Sequence, residues 1–236
     1  MKQLLSPFLF GSYLLLPAGF AQAQTSFRIG PQVGASLATG HTAGVGNPAY
    51  HLGCVAGVQA SLSWPRFALE PAVLFCQKGN TLSQDVAYRD PVTGLPNQHG
   101  TFTSQLRLNY LTLPLHLTFA PAGPASGPQF FAGPYLGLLL GGTHSQAGPD
   151  QVTTTSPVYV GSPPTVFNGY YAQRYDAGVQ AGLGYRFQHL VLQAEYSLGL
   201  REVAPGSAFA ASAVKPPATY NRAFQASVSY LVACPH

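Results

Sequence analysis

From Tyr170 to Phe187, in "YYAQRYDAGVQAGLGYRF", the odd positions carry Tyr171, Gln173, Tyr175, Ala177, Val179, Ala181, Leu183, Tyr185 and Phe187. The even positions carry Arg174, Asp176, Gly178, Gln180, Gly182, Gly184 and Arg186. A period of two belongs to a strand, which sends successive side chains to opposite faces, so this segment has one apolar and one polar face. Seven more segments repeat the pattern. In 26–38, Phe27, Ile29, Val33, Ala35 and Leu37 oppose Arg28, Gln32 and Ser36. In 51–64, Leu52, Cys54, Ala56, Val58, Ala60, Leu62 and Trp64 share a face. In 67–78, Phe67, Leu69, Val73 and Phe75 oppose Glu70 and Lys78. Segments 104–119 and 130–140 follow, then 190–200, where Leu190, Leu192, Ala194, Tyr196 and Leu198 oppose Gln193, Glu195 and Ser197. The last, 221–232, sets Phe224, Ala226, Val228, Tyr230 and Val232 against Gln225, Ser227 and Ser229. The chain is expected to be all-β.

The connections say more than the strands. Only Pro65-Arg66 separates the second segment from the third, and only Gln188-His189 the sixth from the seventh. A modest "APAGPASGPQ" joins the fourth to the fifth, whereas 39–50, 79–103, 141–169 and 201–220 are long. Short and long connections alternate without exception, as they do in outer-membrane barrels with short periplasmic turns and longer external loops. The fold expected of residues 24–236 is an eight-stranded antiparallel up-and-down transmembrane β-barrel, with both of its ends in the periplasm. Most segments have the roughly 9–11 residues that a tilted membrane strand needs.

Composition agrees with a lipid setting. Charged residues make up 8% of the chain, about a third of the usual share. No apolar run beyond residue 20 is long enough for a spanning helix. The net charge of +4 is dispersed with no Lys/Arg cluster, so nucleic acid is not an expected partner. Residues 1–23 read as a secretory signal: Lys2, an apolar region from Leu4 to Phe20, and Ala21-Gln22-Ala23 as a small-x-small site with cleavage expected after Ala23. Export without a later stop-transfer helix leads to a soluble secreted protein or to a barrel. Three cysteines, Cys54, Cys76 and Cys234, suit apolar filling better than a disulfide framework, and alternation puts Cys54 and Cys76 on opposite faces.

In a membrane barrel the apolar face meets lipid and the polar face turns inward, and eight strands enclose a space that side chains can fill. The candidate lumen residues are Arg28, Gln32, Gln59, Glu70, Arg107, Arg174, Asp176, Gln180, Arg186, Gln193 and Glu195. Charges there must pair. The two-residue turn sets Phe187 opposite Leu190, and hence Asp176 opposite Arg201, an expected cross-strand pair. Glu70 lies at a depth that Arg28 and Arg186 could reach. Segment 104–119 departs from the pattern: its apolar phase is even at Leu106, Leu108 and Tyr110, then odd at Leu111, Leu113, Leu115 and Leu117. A bulge near Tyr110-Leu111 would turn both halves outward, and Pro114 suits an interruption. Pro31, Pro71 and Pro134 also fall within strands, although a closed barrel has no free edge for them.

In combination and order, "RLNYLTLPLHL", "GPYLGLLLGG" and "YDAGVQAGLGYRF" resemble the PorT-like outer-membrane β-barrel proteins of Bacteroidota. In that family a YL-x-x-P strand is followed by a G-x-Y strand and then by D-x-G-x-x-x-G-x-G-Y. "LEPAVLFCQKGN" resembles the family's third strand and the loop after it, and the likeness spans roughly Phe27 to Val232. The resemblance implies an integral outer-membrane protein and supplies no catalytic residues. The association of PorT itself with protein secretion is not carried over by these motifs. The chain departs from such barrels at "LVACPH", where they often finish on an aromatic insertion signal.

Little points to chemistry. "GVQAGLG" lies within a strand rather than opening a helix, so small residues on a crowded inner face explain it better than nucleotide binding. No Walker lysine, HExxH, paired CxxC or GxSxG occurs. His41, His51, His99 and His144, with Asp85, Asp90 and Asp150, fall in or beside external loops. Metal binding by them is conceivable, but none has tight ligand spacing and solvated loop residues are the better reading. No cofactor and no catalysis are expected. The leading functional reading is a monomeric structural or interaction scaffold in outer-membrane lipid, whose external loops meet any protein partner. A transport or secretion accessory rests on the family likeness, and a narrow pore is disfavoured by a filled lumen. The alternative is a secreted lipocalin-like soluble barrel around an apolar ligand, with the two faces reversed.

Overall fold

The structure, a computed structural model, describes residues 26–42, 48–88, 98–123, 125–148, 152–161, 170–203 and 219–234. The expected signal segment lies outside these residues, as do Asp90 and Asp150. The strands are β1 (Ser26–Thr42), β2 (Ala49–Ser63), β3 (Phe67–Tyr88), β4 (Gln98–Phe119), β5 (Ser126–Ala147), β6 (Thr153–Val160), β7 (Tyr170–Ala172), β8 (Tyr175–Phe187), β9 (Leu190–Glu202), β10 (Thr219–Tyr230) and β11 (Val232–Ala233). Eight of them close a ring in the order β1-β2-β3-β4-β5-β8-β9-β10, and β10 returns to β1. Every pairing in the ring is antiparallel, so the fold is the eight-stranded up-and-down barrel, with one ring strand for each alternating segment, although the sixth begins in β7 and the eighth ends in β11. β11 carries the course of β10 past a break at Leu231 and pairs with the start of β1. The tight turns after β2 and β8 lie at one end, the turn end; the long connections lie at the other, the loop end. Gln188 makes the tighter of these turns possible with a φ of 54°.

The two faces of each strand decide what surrounds the ring. Val33, Leu52, Val58, Leu136, Leu183 and Leu200 are exposed on the outside, while Glu70, Lys78, Asp176 and Arg186 are buried within. A soluble barrel would invert this, since water rewards exposed charge and penalises exposed leucine. The lipocalin-like alternative therefore falls. Tyr185, Phe187 and Tyr230 at the turn end and Tyr50 and Tyr175 at the loop end set aromatic residues toward the two borders of the apolar belt. Val33, 59% exposed, sits midway along the outward row of β1. Val33→Arg is expected to cost about 2–4 kcal/mol, the penalty for a cation near the bilayer midplane. Urea unfolding in lipid vesicles, followed by the fluorescence of the single tryptophan, Trp64, measures it.

The prolines find their places inside the ring. Each of the four lies where a ladder skips: Pro31 between β1 and β10, Pro71 between β2 and β3, Pro134 between β4 and β5, and Pro114 between β3 and β4. A residue without an N–H donor leaves its partner strand unpaired at that point.

The structure corrects the expected bulge in the fourth strand. β4 alternates unbroken: Leu106, Leu108, Tyr110, Thr112, His116 and Thr118 all point inward and are buried. The register shift between β4 and β5 falls beside Asn109/Tyr110, but the extra residue is Leu140 of β5, next to Gly141 with a φ of 149°. Glycine takes that backbone without strain because it has no Cβ. The inward leucines are stable because β6 and β7 fold over the loop end: Leu106, Leu108, Tyr110 and Leu139 bury against Val158, Ala172 and Val203. The sixth segment is also interrupted, at Gln173-Arg174, where β7 ends and β8 begins.

Candidate functional site

The lumen is packed in three polar tiers beneath this apolar cap. Nearest the turn end, Glu70 of β3 is fully buried and receives Arg186 Nη2 of β8 at 2.8 Å. Thr118 Oγ1 donates to Oε2 at 3.0 Å and Ser61 Oγ to Oε1 at 3.1 Å. Gln59 and Gln193 donate to Oε2 at 3.3 and 3.4 Å, and Gln59 Oε1 accepts from Ser229 at 2.6 Å. One carboxylate thereby ties β2, β3, β4, β8 and β9 together. A charge out of water requires this many partners, because its desolvation penalty is several kcal/mol.

In the middle tier Gln180 Nε2 donates to Glu195 Oε1 at 3.0 Å, and Gln180 Oε1 meets His116 Nε2 at 3.2 Å. His116 Nε2 is also 3.8 Å from Glu195 Oε2, and its ring packs 4.8 Å from that of Phe131. In the upper tier Lys78 Nζ of β3 lies 3.1 Å from Asp176 Oδ2 of β8. Tyr135 OH and Asn221 Nδ2 donate to the same oxygen at 3.1 and 2.9 Å. The Lys78 ammonium also sits 4.3 Å from the Tyr135 ring centre and 5.5 Å from that of Tyr110, a cation over two aromatic faces.

The inward glycines of β8 make room for these tiers. A Cβ at Gly178 would stand 2.7 Å from the Tyr135 ring, and one at Gly182 the same distance from the Phe131 ring. Both positions admit only glycine at this closeness of approach.

Placement of the expected lumen residues is uneven. Glu70, Asp176, Arg186, Gln59, Gln180, Gln193 and Glu195 lie in the tiers just described. Gln32 is also inside, donating to Ser227 at 2.9 Å. Arg28 is half-buried at the turn end, and its Nη1 reaches the Gln188 carbonyl at 3.4 Å rather than Glu70. Arg107, Arg174 and Arg201 lie outside, exposed. Arg107 is outward because its neighbours Leu106 and Leu108 occupy the inward positions under β6 and β7. Arg174 falls in the break before β8. The Asp176–Arg201 pair does not form: the β8–β9 ladder ends at Gly178/Gly199, the β9–β10 register shifts between Leu198 and Glu202, and Arg201 is exposed. Its guanidinium carbon lies 5.9 Å from the Tyr175 ring centre instead. Lys78, the residue that does pair with Asp176, was marked by sharing the polar phase of β3 with Glu70.

Above the rim, the β3–β4 hairpin runs on past the last β2 partner of β3, Thr81, to Tyr88 and Gln98. With β5 and β6 it forms a projecting sheet with two hydroxyl pairs, Ser83–Thr103 at 3.4 Å and Ser145–Thr155 at 3.0 Å, and the Thr101 hydroxyl donating to the Asp85 carboxylate at 3.0 Å. His144 bonds Ser104 at 2.9 Å and its ring lies 5.0 Å from that of Tyr170. Burial lowers the His144 imidazole from its ordinary value and pushes the Tyr170 phenol up to about 12. Both are neutral near pH 7. His41 and His99 are exposed, whereas His51 is buried and meets Gln105. Among the described residues no three His, Cys, Asp or Glu side chains gather as metal ligands would. Cys54 is exposed, Cys76 buried and Cys234 half-buried, all three free.

Residues 20–204 match the family described as "Outer membrane protein beta-barrel domain". No curated protein matches the chain. Among solved structures the chain is similar to Ail, the attachment invasion locus protein of Yersinia pestis, determined with the heparin analogue sucrose octasulfate. The two share 8% identity over 88% of this chain and 99% of that one, with a TM-score of 0.43. It is also similar to the Neisserial surface protein A, at 15% identity over 86% of this chain and 96% of that one, with a TM-score of 0.40.

Proposed function

The chain belongs to the outer membrane protein β-barrel domain family, and on that footing we propose that it is a non-enzymatic scaffold whose plugged barrel holds a projecting sheet outside the membrane for protein contact. The observation that carries this reading is the filled lumen. Three tiers of paired side chains and an apolar cap occupy the space a solute would need, so the barrel's value lies in what it holds up rather than in what it passes. The projecting β3–β4 hairpin, rigidly continuous with two ring strands, is the natural place for contact, since a stiff frame lowers the ordering cost of binding. Within the family we place the chain with the PorT-like barrels on the order of its three motifs. Export by a signal cleaved after Ala23 and a monomeric state in lipid complete the reading. A transport or secretion accessory is the second reading and rests on the PorT likeness alone.

In planar bilayers the refolded protein is expected to show no steady conductance; discrete, stable channels would overturn the plugged-lumen reading. Replacing residues 83–101 by a tight turn should leave heat-modifiable migration intact. That variant should fail to restore whatever surface or secreted proteins are lost when the gene is deleted. Full restoration would remove the hairpin from the function.

A further inference from the structure

The arginines excluded from the lumen gather on the outer wall at the loop end. Arg174 and Arg201 are exposed, Arg201 against the Tyr175 ring and Arg174 just before Tyr175 in the chain, and Arg222 points outward from β10, half-buried. Arg107 stands apart from them on β4, at the same end but with β5 between it and β8. Among the described residues none of the four forms an ion pair, and Arg222 Nε is buried without a hydrogen-bond partner. The neighbouring carboxylate, Glu202, is half-buried and lies across from Tyr220.

Directly below them the wall is hollow. A groove of about 510 Å³ opens to the outside across β1, β10, β9 and β8, reaching Leu52 of β2. Its floor is a row of small residues, Ala35, Ala226 and Ala194, adjacent by register. Its upper wall is the next outward row, Leu37, Phe224 and Tyr196. The outward row above that is Thr39, Arg222 and Leu198. One side-chain row, roughly 7 Å at the strand rise, thus separates the groove wall from the first guanidinium.

We propose that this wall is a binding site for an anionic, phosphate-bearing lipid of the outer leaflet. The guanidiniums of Arg222, Arg201 and Arg174 hold its headgroup, and one acyl chain lies in the groove. Guanidinium forks match phosphate oxygens in geometry and charge. A cation on the lipid face is costly at the midplane but nearly free at the interface, where headgroups stand. The groove carries no outward charge, so hydrocarbon fills it and restores the dispersion contacts that a void forfeits. A second copy of the chain is a poorer occupant: about a two-fold axis along the membrane normal it would set arginine against arginine. This site does not depend on the scaffold reading.

The test uses the full refolded barrel in a neutral maltoside detergent, with native mass spectrometry of retained lipid. Probes are phosphatidylglycerol, diacylglycerol with the same acyl chains, and inorganic phosphate. Wild type is expected to retain phosphatidylglycerol about tenfold better than diacylglycerol, as one or more charge-assisted hydrogen bonds imply. The combined Arg174→Gln, Arg201→Gln, Arg222→Gln variant should lose that preference. Ala226→Phe, or Ala194→Leu if the first does not fold, should weaken retention of both lipids alike while migration stays heat-modifiable. Equal retention of the two lipids by wild type, or an unchanged preference in the arginine variant, would overturn the site. Displacement of phosphatidylglycerol by millimolar inorganic phosphate would reduce it to a simple anion site and equally overturn the lipid assignment.

Discussion

Lys78→Met is expected to destabilise the barrel by about 5 kcal/mol, the upper end for breaking a buried ion pair. The substitution keeps the volume and the aliphatic stem but removes the cation paired with Asp176. What remains is a carboxylate 2% exposed, with Tyr135 and Asn221 both donating to Oδ2. Oδ1 has no hydrogen-bond partner in the folded protein. The loss also removes a cation from above the rings of Tyr135 and Tyr110. Urea unfolding in vesicles, read by Trp64, gives the magnitude. The diagnostic variant is the double, Lys78→Met with Asp176→Asn. The amide oxygen can still accept from Tyr135 and Asn221 and leaves no buried charge unpaired, so the double should recover most of the loss. A double variant as unstable as the single would mean that Lys78 acts through packing and not through its charge.

Arg186→Met should cost less, about 3 kcal/mol, although Arg186 and Glu70 are as deeply buried. The reason is the company Glu70 keeps. Without the guanidinium its carboxylate still accepts from Ser61, Thr118, Gln59 and Gln193, spread over both oxygens. Neutral donors do not cancel the charge, but each offsets part of the desolvation. The ordering of the two variants is therefore the sharper expectation. If Arg186→Met proved the more damaging, the four neutral donors would have to be weaker than their distances suggest, and the turn-end tier would be the main lock on closure. Both effects are large against the stability of a typical domain, about 5–15 kcal/mol. Either variant should therefore also lower the yield of folded, heat-modifiable protein.

Much of this molecule was legible because alternation is local. Each of the eight segments contains a ring strand, and the outward row of β8 is the one the odd positions of its sequence mark. Glu70, Asp176 and Arg186 could be set inside for the same reason: a residue's face follows from the parity of its place in the strand. Short turns were equally plain, since two residues between strands leave one register, and Phe187 stands opposite Leu190. Legibility failed wherever parity was broken or its meaning reversed. The bulge at Leu140-Gly141 shifts β5 rather than β4, and either strand could have supplied the extra residue. The leucines of upper β4 face inward only because β6 and β7 cover them, and those strands carry no strong alternation of their own. Arg107, Arg174 and Arg201 were misplaced by these irregularities alone.

The amino-acid pattern by itself determined the eight ring strands, their antiparallel order and the face that meets lipid, since each rests on backbone geometry within a few residues. Only the tertiary structure decided who meets whom across the lumen. Lys78 and Asp176 are brought together by closure of the ring and the stagger of its strands, from opposite sides of a barrel in which β3 and β8 do not pair. That stagger is the sum of every turn, bulge and skipped proline around the circle, and no single segment contains it. The same sum turned Arg201 out of the lumen, where its guanidinium lies against the Tyr175 ring instead of meeting Asp176.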